Sequence, residues 1–112
     1  MSQKKEVEKI DNLFSYLGKN SLKQTKAFAS FMDVVEQDGK VSSKIKEAVA
    51  LGIAIKSQCK GCIAFHTKKA LDKGFSKEEI IEIAWVAVLM GGGPSLVYMS
   101  HVKEALEEFL DE

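Results

Sequence analysis

Residues 47–66 read EAVALGIAIKSQCKGCIAFH. Four polar groups of chemical interest stand in this largely apolar stretch: Glu47, Cys59, Cys62 and His66. The whole chain holds two cysteines and two histidines. Both sulfurs therefore fall within four residues, with an imidazole four positions after the second. Dithiol redox chemistry, metal binding and a buried structural pair all compete to explain such a cluster.

Outward from the cluster, every segment reads as helix. Val7, Ile10, Leu13, Phe14 and Leu17 recur at helical spacing, and Gly18 with Asn20 supplies a stop. Ser21 opens a second helix, with Gln24 placed for a capping box. Its stripe is Phe28, Phe31, Met32 and Val35, and Asp38-Gly39 ends it. Ser42 or Ser43 caps a third helix through Ile45, Val49 and Ile53 toward Ser57. A fourth begins at the cysteines and ends at Gly74, a left-handed cap. Ser76 and Glu79 form a capping-box pair for a fifth through Ile80, Ile83, Ala84, Ala87 and Met90. Beyond Gly91-Gly92-Gly93-Pro94 a sixth carries Leu96, Met99, Val102, Leu106 and Phe109. No stretch alternates as a strand does, and no linker divides the chain. The expectation is one all-α domain of six helices over residues 1–112.

Composition narrows the function. Sixteen basic and sixteen acidic residues cancel, and every basic residue is lysine. Without arginine for bidentate contacts, and without net positive charge, nucleic acid is not an expected partner. The first ten residues, MSQKKEVEKI, lack the apolar core of a signal peptide. The longest uncharged run, Ile83 to Ser100, is broken by three glycines and a proline, so no membrane span is expected. These features place the protein in the cytosol, where close thiols are usually redox-active or metal-binding. From Ile80 to Met90 every residue except Glu82 is apolar. A helix greasy around its whole circumference must be buried on all sides, which six short helices cannot arrange for one of their own number. Self-association is the expected remedy.

C-K-G-C at residues 59–62 is the spacing of dithiol–disulfide exchange sites. At a helix start, unpaired N–H groups and the dipole favour thiolate, an argument that points to Cys59. His66 shares a helical face with Cys62, where an imidazole can take or return the thiol proton, an argument that points to Cys62. Glu47 lacks an obvious partner of opposite sign and is a candidate to orient His66. The same residues could instead supply zinc ligands, with Glu47 or His101 as the fourth, although structural zinc usually has a second Cys or His pair. His101 otherwise reads as packing or surface. The Gly91–Gly93 run lacks the lysine-serine and preceding strand of a phosphate loop, so it reads as an interhelical turn.

The pattern Glu47, eleven residues, Cys59, two residues, Cys62, three residues, His66 resembles the signature of AhpD-like proteins. These are thiol-dependent alkylhydroperoxide reductase relatives within the carboxymuconolactone decarboxylase family. A GGGPSLVYMS segment extends the resemblance over about residues 40–105. The resemblance implies an all-helical unit assembling into homo-trimers or homo-hexamers. It also implies a peroxidase or disulfide reductase in which Cys62 is activated through His66 and Glu47 and Cys59 is the resolving thiol. The substrate would be a hydroperoxide or disulfide, with a thiol protein as electron donor or acceptor. The redox group is the Cys59–Cys62 dithiol itself, with no separate cofactor and no metal. The chain departs at Gly61, where catalytic members carry histidine, a difference that bears on peroxidase efficiency more than on thiol chemistry.

Two other functions stay open on sequence. A non-redox lactone-acid decarboxylase would need a cationic clamp, which the missing arginines do not favour. A binding, assembly or zinc module would need no turnover. One geometric difficulty also stands. Glu47 lies about 15 Å from the end of its helix, whereas His66 lies one to two turns into the next. In a tight hairpin the two would be out of register, so the helices must splay or cross, or the link must run through water or a neighbouring subunit.

Overall fold

The computed structural model describes residues 2–111; Met1 and Glu112, the ends of the expected 1–112 domain, lie outside the described residues. The six expected helices are present, as α1 (Ser2–Asn20), α2 (Leu22–Glu36), α3 (Ser43–Lys56), α4 (Lys60–Asp72), α5 (Lys77–Gly91) and α6 (Gly93–Leu110). The described residues contain no strand.

Helix ends follow local chemistry. Ser42 caps α3, its hydroxyl accepting the Ile45 N–H at 3.1 Å. Ser76 and Glu79 make a full capping box at α5. The N–H of Ser76 donates to the Glu79 carboxylate at 2.7 Å, and this bond holds Glu79 below the usual carboxylate range. Gly74 takes φ +96 after α4, as a left-handed cap requires. The α1–α2 junction differs from expectation. Gly18 lies inside α1, and the Ser21 hydroxyl donates to Gln24 Oε1 at 2.9 Å instead of accepting a backbone N–H. Ser21 still bonds backward to Leu17 and accepts from Thr25, so the two helices meet at one residue with no capping box.

The core lies among the last four helices. Leu51 and Ile55 of α3, Ile63 and Ala70 of α4, Ile80 and Ala84 of α5, and Val102 and Leu106 of α6 pack into one cluster. The short side chains of Ala84 and Ala87 let α5 approach its neighbours closely. Where α5 turns into α6, a Cβ on Gly91 would stand 1.9 Å from the Ser95 hydroxyl and 2.7 Å from Lys56 Cδ, so only glycine fits. Pro94 follows in the first turn of α6, where its missing N–H costs nothing.

Helix α1 packs on α4 and α6. Its first turn is pinned by Glu108, whose carboxylate accepts the N–H groups of Gln3 and Lys4 at 3.2 and 3.1 Å. Helix α2 buries no residue. Phe14 and Phe28 stack at 6.5 Å to join it to α1, and Lys46 of α3 donates to the carbonyls of Val35 and Gln37 at its end.

The apolar stripes named in the sequence do not all face inward. Ile45, Val49 and Ile53 are exposed, while α3 buries Glu47, Leu51, Ala54 and Ile55. On α5, Ile80, Ala84 and Ala87 are buried, but Trp85, Val86, Leu89 and Met90 stand free of the subunit's core, Leu89 at 80 % exposure. Helix α3 is apolar on two faces, so periodicity alone could not tell which one meets the core.

Candidate functional site

The end of α3 sets the site. Ser57 is its last αR residue, and Gln58 then takes φ 56, the left-handed conformation that glycine usually supplies. The Gln58 N–H bonds Ile55 O at 3.1 Å and the Cys59 N–H bonds Ala54 O at 3.3 Å, satisfying two carbonyls of the last turn. Cys59 then caps α4, its Sγ accepting the Cys62 N–H at 3.2 Å. One residue therefore closes α3 through its backbone and opens α4 through its side chain. Cys59 and Cys62 are joined as a disulfide, with Cα atoms 5.2 Å apart.

The two sulfurs differ in surroundings. Cys62 is exposed and Cys59 is half-buried. Helix α1 lies over the turn between them: a Cβ at Gly61 would meet Ile10 Cδ1 at 3.6 Å. The position that carries histidine in catalytic AhpD-like proteins thus faces α1 here.

One turn after Cys62, His66 reaches back to α3. Its Nδ1 lies 2.5 Å from Glu47 Oε2, and the Glu47 side chain is buried. A carboxylate oxygen accepts, so Nδ1–H is the donor, and this fixes the tautomer in which Nε2 offers its lone pair. The edge of Phe65 meets the imidazole at 5.1 Å and further limits its swing. The link is direct and lies within one chain, so neither water nor a neighbouring subunit is needed. Between Glu47 and the end of α3 lie three more residues than between the start of α4 and His66. That is about 4.5 Å along an axis, an offset that the helices' course and two long side chains absorb.

On the other side of Glu47 stands a group the sequence reading passed over. Lys69 Nζ lies 3.6 Å from Glu47 Oε1 and 2.9 Å from Glu36 Oε2 of α2. Burial works to lower the Lys69 pKa, but the Glu36 hydrogen bond and the charges of Glu47 and Glu36 outweigh it and raise it above the ordinary lysine value. Its position three residues after His66, on one face of a helix, was the available signal. Gln58 was missed too, because its left-handed turn carries no glycine or asparagine.

Of the residues singled out in the sequence, Cys59, Cys62, His66 and Glu47 lie on two adjoining helices, with His66 bonded to Glu47 and the cysteines to each other. His101 does not join them: its partners are Gln3 of α1 and Tyr98 of α6. Among the described residues no three His, Cys, Asp or Glu side chains converge as metal ligands would, and no helix is long and apolar enough to cross a membrane.

Comparison with known proteins places the chain among relatives. Residues 24–107 match the carboxymuconolactone decarboxylase family model. An uncharacterised protein of Cupriavidus necator is 32 % identical over 97 residues, covering 87 % of this chain and 86 % of its own. A protein encoded in the cox locus of Paracoccus denitrificans is 33 % identical over 82 residues, covering 73 % of this chain and 74 % of its own. Among solved structures, a family member from Legionella pneumophila, in its apo form, superposes with a TM-score of 0.91 at 33 % identity over 96 % of each chain. A Thermotoga maritima member, for which an antioxidative role has been suggested, gives 0.83 at 29 % identity, covering 96 % of this chain and 91 % of its own. A matched family model over three quarters of the sequence, two relatives aligned over most of their length and a shared six-helix fold lead to one conclusion: the chain belongs to the carboxymuconolactone decarboxylase family.

Proposed function

We propose that the protein is a thiol-dependent oxidoreductase of the AhpD-like kind, working in the cytosol on hydroperoxides or disulfides. The observation that carries this reading is the Glu47–His66 bond beside the Cys59–Cys62 pair. It supplies a base with a defined free nitrogen one turn from an exposed sulfur, the arrangement that activates a cysteine nucleophile. A decarboxylase would use neither sulfur.

In this mechanism His66 Nε2 takes the Cys62 proton, and the thiolate attacks the outer oxygen of the hydroperoxide. The O–O bond breaks, the alkoxide takes the proton back from His66 and leaves as the alcohol, and Cys62 becomes a sulfenic acid. The Cys59 thiol then attacks the Cys62 sulfur; an S–S bond forms and water departs. A dithiol protein returns two electrons and two protons through a mixed disulfide. Helix α4 holds the two sulfurs close enough for the second step without rearrangement.

The test is a thiol count on reduced protein treated with one equivalent of cumene hydroperoxide. Loss of both thiols, with one alcohol formed per protein, is the expected result. Two thiols retained, with the peroxide intact and an added disulfide unreduced, would return the chain to a binding or assembly role.

Assembly belongs to the same proposal. A groove of about 440 Å³ between α3 and α5 is lined by Ile45, Val49, Ile53, Ile83, Val86 and Met90, and α2 buries nothing. Two such surfaces on one small subunit suit contacts with further copies of the chain, a homo-trimer or homo-hexamer. Sedimentation at micromolar concentration is expected to show a trimer or larger; a clean monomer would refute it.

A further inference from the structure

We propose that Lys69 is a positioning residue for the thiol site: it holds the second oxygen of Glu47, so that the carboxylate stays aimed at His66 whether or not the imidazole carries a proton. The proposal rests on the reading of His66 as base and Glu47 as its orienting partner.

A base must cycle. With His66 protonated, the buried Glu47 faces a cation at 2.5 Å and its charge is balanced. With His66 neutral, awaiting the thiol proton, the same carboxylate would, without Lys69, be a buried anion with only an N–H for company, which is an expensive state. Such a group relieves itself by swinging toward water, which would withdraw the acceptor from Nδ1 and release the tautomer. A cavity of about 160 Å³ offers the room: Glu47 lines it with Val35, Glu36, Lys46, Lys69 and Lys73.

Lys69 lines that cavity together with Glu47. Its ammonium is 3.6 Å from Oε1, the oxygen His66 does not use, and its side chain is only 26 % exposed. It stays charged through the working range, since its partners raise its pKa above the ordinary lysine value. The cationic partner of Glu47 is therefore permanent on one oxygen and cycling on the other. Lys69 also binds Glu36 of α2 at 2.9 Å, and a mere tether between α2 and α4 would need only that contact. The experiment has to separate the two roles.

The measurement is alkylation of Cys62 by iodoacetamide near neutral pH, in a Cys59→Ser background that leaves a single thiol. Proton NMR reads alongside it the low-field resonance of the His66 N–H held on Glu47. Lys69→Met should slow alkylation about tenfold, a fraction of the hundredfold or more that a positioned base supplies, and should erase the resonance. Lys69→Arg, which keeps the charge, should restore both. Glu36→Gln, which removes only the tether, should leave both unchanged. A wild-type rate and resonance in Lys69→Met would overturn the proposal, as would equal losses in Lys69→Met and Lys69→Arg, or in Lys69→Met and Glu36→Gln. His66→Gln separates this from the underlying reading: if that variant alkylates at the wild-type rate, His66 is no base, whatever Lys69 does to the resonance.

Discussion

Replacing Cys62 with serine is expected to abolish the first oxidation by hydroperoxide, whereas Cys59→Ser should react once and stall as a sulfenic acid or mixed disulfide on Cys62. The two cysteines make opposite claims to being the nucleophile. Cys59 caps α4, and a helix N-terminus favours its thiolate, but the effect is worth only about 0.3–1 kcal/mol at an exposed site. A positioned base contributes about a hundredfold or more where proton transfer limits the rate, and only Cys62 shares a helical face with His66 at four-residue spacing. Access points the same way, because Cys62 is exposed and Cys59 half-buried, its sulfur occupied with the Cys62 N–H. Mass spectrometry of each variant after one equivalent of peroxide distinguishes the outcomes. An adduct trapped on Cys59 in the Cys62→Ser protein would reverse the assignment.

Glu47→Gln should separate catalysis from stability. The amide keeps the shape of the side chain and its place in the packing. It also removes one partner of Lys69, but that ammonium keeps Glu36 at 2.9 Å and is partly exposed, so no buried charge is left unpaired. The thermal midpoint of the variant is therefore expected to move little. Alkylation of Cys62 should nevertheless fall by about a hundredfold or more. A glutamine can present its NH₂ group to Nδ1 and so favour the tautomer whose Nε2 carries the proton and cannot accept one. A wild-type rate combined with a large drop in midpoint would make Glu47 a structural residue.

Much of this was legible in the sequence, for identifiable reasons. Helix number and type were readable because caps are local chemistry: Ser42, Gly74, and the Ser76–Glu79 box act within a few residues. The four site residues were readable because cysteine and histidine are scarce in this chain, so their clustering stood out. The core face of α3 was not readable. Ile45, Val49 and Ile53 are as apolar as Leu51, Ala54 and Ile55, and only the position of α4 and α5 decides between them. Ser21 shows the converse failure: the capping-box residues are present, but the Ser21 hydroxyl donates to the Gln24 side chain and accepts no backbone N–H. Lys69 was hidden by abundance. With sixteen lysines in the chain, one that meets a buried carboxylate cannot be told from fifteen others until Glu36 and Glu47 are placed around it.

The shared residue at the α3–α4 junction has a consequence for how such a chain can change over generations. Because Cys59 ends one helix with its N–H and starts the next with its sulfur, the connection has no slack in which an extra residue could be absorbed. An insertion or deletion there would turn α4 by about 100° about its axis. Cys62, His66 and Lys69 would leave Glu47 together, and Ile63 and Ala70 would leave the core in the same step. Loops elsewhere can lengthen and be tested by selection one residue at a time. This one admits substitutions only, so the reactive centre and the hydrophobic core must be inherited, or lost, as one unit.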